Sequence, residues 1–158
     1  MRPTVTASGG KRVDPAIKKL LAVHVPPKSS VVAGLPVNSA PYPTGEDLVI
    51  VGLTNEFGSG NIPERSFLRW TMNQHREEYY KAGMSVGKKI LKGEMTVEKA
   101  FGLIGLKMEG DIVRRISTIQ DPPNAPLTIA RKGSSKPLID TGHLKQSIRY
   151  QVRIGGKK

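Results

Sequence analysis

The chain contains no cysteine among its 158 residues. That removes disulfides, thiolate metal sites and a cysteine nucleophile from consideration. Long apolar runs are also missing. No stretch approaches the ~20 residues that a helix needs to cross a bilayer, and the N-terminal Met1-Arg2-Pro3-Thr4-Val5-Thr6 lacks the apolar core of a signal peptide. The expectation is a protein made in a reducing cytoplasm, neither secreted nor membrane-inserted. Aromatic residues make up only 5% of the chain, and they form no platform interleaved with the basic ones. Stacking of single-stranded bases is therefore not expected, whereas duplex phosphates require only lysine and arginine.

Negative charge is scarce overall: 13 acidic residues face 25 basic ones, for a net charge of +12. The excess is confined to the ends. Residues 1–28 hold Arg2, Lys11, Arg12, Lys18, Lys19 and Lys28 against Asp14. Residues 128–158 hold Arg131, Lys132, Lys136, Lys145, Arg149, Arg153, Lys157 and Lys158 against Asp140. The stretch between them is electrically balanced. Basic ends on a neutral middle suit a polyanion or an acidic protein surface, or serve solubility alone. The candidates for such contact are Lys11, Arg12, Lys18, Lys19, Arg131, Lys132, Lys136, Lys157 and Lys158.

Length fits one domain with a modest core. Twelve prolines and seventeen glycines add many turns. Residues 1–13 lack periodicity and read as a flexible arm, residues 14–155 as a single domain, and 156–158 as a basic tail. Asp14-Pro15 resembles an N-cap with proline at the first helical position, and Pro26-Pro27 stops that short helix. Ser30–Val37 and Leu48–Leu53 are β-branched and apolar, which predicts two strands joined by a long hairpin loop. Helix is expected again from Glu64 or Ser66, with Gly83 and Gly87 inviting a bend. Thr96 caps the clearest helix, in which Val97, Phe101, Ile104, Met108, Ile112, Ile116 and Ile119 form a stripe that must be buried. Asp121-Pro122-Pro123 ends it, and residues 124–137 read as loop. Ile148, Tyr150, Val152 and Ile154 alternate as in a strand. The order predicts an α+β fold: a small antiparallel β-sheet packed against two or three α-helices, with extended basic termini.

Chemistry-bearing patterns are weak. His24, His75 and His143 have no metal-ligand spacing, and the glycines at 52, 58 and 60 lack a Walker lysine. Glu77-Glu78 and Glu109/Asp111 read as surface ion pairs on helices. Asp140 reads as a turn-former bonding the amides at Thr141 or Gly142. No catalytic, cofactor or metal residue is assigned, and the chain is expected not to be an enzyme.

Two motifs carry a resemblance. Asn55-Glu56-Phe57-Gly58 leads to Ile62-Pro63-Glu64-Arg65-Ser66-Phe67-Leu68-Arg69. Much later come Pro137-Leu138-Ile139-Asp140-Thr141-Gly142-His143-Leu144-Lys145-Gln146-Ser147-Ile148. Together, over roughly residues 30–155, these resemble the tail-completion and virion-morphogenesis proteins of tailed bacteriophages. Ser66 stands where that family often has proline. The resemblance implies a structural protein of the virion neck, made in the host cytoplasm and assembled as a six-membered ring of self-contacts. It implies partners in the tail terminator or tail tube and in the head–tail connector or portal, with packaged DNA in the lumen and no membrane. A tail terminator, a head–tail adaptor or a basic duplex-binding module are the alternatives. The residues expected to shape the docking motif are Glu56, Phe57, Gly58, Pro63, Arg65, Phe67, Asp140, Thr141, Gly142 and Leu144. In that scheme Phe57 and Phe67 anchor the connector to the core, Arg65 pairs with Glu56, and Asp140 and Thr141 cap the last turn.

Overall fold

A computed structural model of the protein describes residues 14–155. The arm at 1–13 and the tail at 156–158, with Lys11, Arg12, Lys157 and Lys158, lie outside them. The element order is α1 (Pro15–His24), β1 (Ser30–Gly34), α2 (Leu48–Phe57), α3 (Leu68–Gln74), α4 (Arg76–Leu91), α5 (Val97–Thr118), α6 (Pro126–Lys132), α7 (His143–Gln146) and β2 (Arg149–Arg153). This is the expected α+β class, with an antiparallel pair of strands among helices.

The stripe on α5 organises the molecule. Thr96 Oγ1 accepts from Lys99 N at 3.3 Å and starts the helix. Val97, Ala100, Met108, Ile112 and Ile116 are buried along it, and Ile119 closes the row. One end of the stripe meets Leu48, Phe67, Leu138, Leu144 and Ile148. The other end meets Ile90, with Val25, Val86 and Ile154 packed alongside.

The sheet lies across α5. Its register pairs Ser30 with Arg153, Val32 with Gln151 and Gly34 with Arg149. The period-two alternation turns Val31, Ala33, Tyr150 and Val152 to one face. Gly105 is why this face can sit so close: a methyl there would overlap both the Tyr150 ring and Val31.

Four expectations are corrected. Residues 48–53 are helix, not strand. The Asp47 carboxylate accepts from Val49 N at 2.7 Å and Ile50 N at 3.2 Å, capping the segment. Leu48, Gly52 and Glu56 then fall on one buried face. The hairpin between residues 30–37 and 48–53 therefore does not exist, and β1 takes β2 as partner instead. Residues 124–137 include α6, begun by Pro126 at its first turn and closed by left-handed Gly133. Finally, α4 runs unbroken through Gly83 and Gly87, and the interruption falls at His75, between α3 and α4.

Candidate functional site

The first motif is built around one carboxylate. The buried face of α2 ends on Glu56, which is 1% exposed. Phe57 ends the helix and Gly58 turns the chain at φ 72°. A Cβ on Gly58 would come within 3.0 Å of Glu64 N and 3.2 Å of Ile62 O, so the turn requires glycine on two counts. Ser59 and Ile62 exchange amide–carbonyl bonds at 3.0 and 2.9 Å, closing a small loop. Exposed Pro63 leads out of it, and Arg65 N donates to Asn55 O at 2.7 Å.

The returning chain delivers its amides to Glu56. Oε2 accepts from Phe67 N and Leu68 N, both at 2.8 Å. Oε1 accepts from Arg69 N at 2.9 Å, Ser66 Oγ at 2.8 Å and Arg69 Nε at 3.1 Å. The first amides of α3 have no helical acceptor, and no side chain from Phe67 caps them. Glu56 satisfies them from another helix and places negative charge at the positive end of α3.

Arg69, not Arg65, is the ion partner of Glu56. Its guanidinium also bonds Glu56 O at 2.7 Å and Glu64 Oε1 at 2.9 Å. The expected Arg65–Glu56 pair is replaced by a longer reach: Arg65 Nε donates to Pro122 O and its terminal nitrogen to Pro123 O, each at 2.7 Å. Arg65 thus ties the connector to the turn after α5. Burial pulls its guanidinium below the ordinary value. Phe67 is fully buried, as expected. Phe57 is not an anchor. It is 50% exposed, with the Arg69 guanidinium 4.4 Å above its ring. Trp70, 40% exposed, carries Arg115 at 4.0 Å in the same manner.

The second motif packs on the first. Leu138, Leu144 and Ile148 share one apolar cluster with Leu48 and Phe67. Gly142 adopts φ 83° and opens α7. Leu144 approaches to within 3.8 Å of where a Gly52 side chain would begin, so α2 is the surface on which both motifs meet. The capping expected of this turn is divided. Thr141 Oγ1 accepts from His143 N at 3.4 Å. Asp140 is exposed and makes no hydrogen bond among the described residues. His143 is half-buried, bonding Ala40 O through Nε2 at 3.1 Å with its ring 5.1 Å from Tyr42.

The remaining charged groups divide between structure and surface. Lys18, Lys19, Arg131 and Lys136 are exposed on α1 and around α6. Lys132 is spent internally, donating to Lys136 O at 2.8 Å and Pro137 O at 3.2 Å, and burial pulls its ammonium below the ordinary value. Asp111 corrects the expectation of a surface pair: it is 4% exposed and accepts from Tyr79 Oη at 3.0 Å and Lys107 Nζ at 3.1 Å. Burial, then the Asp111 charge, pushes the Tyr79 phenol well above its usual range. Glu109 is likewise not a surface ion pair, since its carboxylate accepts from Tyr150 N at 2.7 Å.

Every buried side-chain polar atom among the described residues has a hydrogen-bond partner. Glu56, the most heavily bonded of them, is saturated on both oxygens. Such an arrangement holds a connector in one shape. Of its members, sequence reasoning missed Arg69, Asp47 and Gly52; only Asp47, an N-cap residue before an apolar run, left a readable local signal. The chain matches no family model, no curated protein and no solved structure.

Proposed function

We propose that this chain is a structural subunit of the neck of a tailed bacteriophage, completing the tail and joining it to the head connector as a six-membered ring. The observation that carries the reading is the meeting of the two family-like motifs on α2. Phe67 from one and Leu144 and Ile148 from the other occupy a single core. Residues so far apart in sequence form one constructed unit, and Glu56 fixes the connector between α2 and α3.

What the connector and the two helices it joins present outward supports docking. Ile50, Phe57, Ile62 and Trp70 remain 60%, 50%, 44% and 40% exposed. Aromatic residues and arginines in this kind of association are the usual anchors of protein interfaces. A closed ring needs two different surfaces per subunit, one meeting the other around the axis. The exposed cations of α1 and α6 suit contact with packaged DNA or with an acidic neighbour in the connector or tail tube.

The test is genetic and visual. A phage carrying an early stop codon in this gene should accumulate DNA-filled heads beside separate tails, and wild-type protein supplied in trans should restore joining. Antibody against the chain should label the neck of intact virions. Normal virions from the mutant, or purified virions free of the chain, would overturn the reading.

A further inference from the structure

Charge is unevenly sorted along the described chain. Residues 29–64 contain no lysine or arginine and carry Glu46, Asp47, Glu56 and Glu64. Residues 122–139 contain no acid and carry Arg131, Lys132 and Lys136. Each stretch also leaves apolar side chains in water. On α2, Ile50 and Phe57 stand seven residues apart and so on one helix face, and Ile62 follows beyond the Gly58 turn; all three are exposed. Exposed Glu46 and Asp47 lie at the start of this stripe and exposed Glu64 at its end. The Arg69 guanidinium is shared between Glu56 and Glu64, so one cation faces two carboxylates and the stripe stays acidic. The helix α6 is the converse. It buries none of its residues. Leu127, Ala130 and Arg131, three and four residues apart, share its exposed face, and Leu127 is 82% exposed. Both ends of this helix are held. Arg65 bonds Pro122 O and Pro123 O ahead of it, and Lys132 bonds Lys136 O and Pro137 O behind it. Such a helix is ordered before any partner arrives, which lowers the entropic cost of binding.

We propose that α6 of one subunit docks on the α2 stripe of a second copy of this chain, with Leu127 among Ile50, Phe57 and Ile62, and with Arg131 and Lys136 against Glu46 and Glu64. The proposal rests on the ring reading above and names the two surfaces through which neighbours engage. Positive charge alone would suit a phosphate backbone. An exposed leucine on the same face gains nothing from phosphates and is matched by an apolar protein surface. Neither surface suits a copy of itself, because like charges would then face each other. Each selects the other, so the contact is head-to-tail, with one surface of each kind per subunit.

Because the chain has no cysteine, the contact can be trapped. Two differently tagged full-length proteins, Leu127→Cys and Ile50→Cys, are mixed at high concentration and mildly oxidised. They should form a mixed disulfide. Leu127→Cys paired with Leu106→Cys, a site on α5 as exposed as Ile50, should form far less. Sedimentation then reads the geometry. Wild-type protein should grow beyond a dimer as its concentration rises. Leu127→Asp and Ile50→Lys, both at exposed positions, should each stay monomeric. Mixed together they should form a dimer and nothing larger, since each supplies the surface the other lacks. Arg131→Glu should weaken association about tenfold or more, as at close interfacial charge pairs, and adding Glu46→Lys or Glu64→Lys to it should recover the loss. Absence of the mixed disulfide, or an equal yield from Leu106→Cys, overturns the inference. So do wild-type association that stops at a two-fold dimer, a mixture of the two surface variants that stays monomeric, and a loss in Arg131→Glu that neither added lysine recovers. Arg131→Glu that loses duplex DNA binding while self-association stays intact overturns it in favour of a nucleic-acid role for α6. A neck protein that docks by other means would label virions and give no mixed disulfide. A chain with this contact and another role would give the disulfide and no label.

Discussion

At the scale of single residues, the connector depends on Glu56. Its carboxylate accepts three backbone amides, a hydroxyl and a guanidinium while almost fully buried. Glu56→Gln keeps the shape and removes the charge, and whichever carboxylate oxygen becomes the NH2 group faces donors from which it cannot accept. Leaving buried donors without their acceptor costs about 1–3 kcal/mol, and at this chain size that corresponds to a fall in Tm of roughly 3–10 °C, which calorimetry would read. Motif reading gave Gly58 its backbone angle and Phe67 its place in the core, both as the structure has them. It misassigned Arg65 and Phe57, because partner choice between two nearby arginines is set by where the returning chain lies, not by spacing along it.

Individual elements show the same division. Two glycines on α5 look alike in sequence and differ in surroundings. Gly105 lies against the Tyr150 ring and Val31, whereas nothing stands within 4 Å of a side chain added at Gly110. Gly110→Ala should raise stability by up to about 1 kcal/mol through helix propensity. Gly105→Ala should lower it by about 1–3 kcal/mol, the usual effect of overpacking. Chemical denaturation of the pair would check both signs.

The contact between α4 and α5 has a pH signature. Lys107 bonds Glu78 at 2.9 Å and Asp111 at 3.1 Å. The Glu78 bond, foremost, raises the Lys107 ammonium above 10.5, and Lys107 followed by His75 lowers the Glu78 carboxyl below 4.5. A lowered carboxyl stabilises above its ordinary value and loses that contribution as pH falls through the folded one. A raised ammonium stabilises below 10.5 and loses its share as pH climbs past the folded value. The contact is therefore strongest across the middle of the scale. In Lys107→Met the dependence of Tm on pH should flatten at both flanks, and a parallel displacement of the whole curve would contradict the assignment.

On the scale of the whole molecule, α5 spans both apolar clusters: Ile112 and Ile116 lie in one, Ala100 in the other. Coupling through one helix predicts a single cooperative transition. Ile112→Ala and Ile90→Ala should each destabilise that same transition by about 2–5 kcal/mol. Two separable melting steps, one shifted by each variant, would show that the clusters unfold independently.

The amino-acid sequence by itself determined α5, through a stripe that only a helix can bury. It likewise specified α1 through Asp14-Pro15, β2 through strict alternation, and the turns at Gly58 and Gly142. These signals act within one or two turns of chain and need no partner. Tertiary structure alone decided that Leu48–Leu53 becomes helix, that β1 pairs with β2, and that Glu56 accepts the amides of α3. A short apolar run is compatible with either helix or strand, and packing selects between them. A hydrogen-bond partner far away in sequence is set by which surfaces the core brings together.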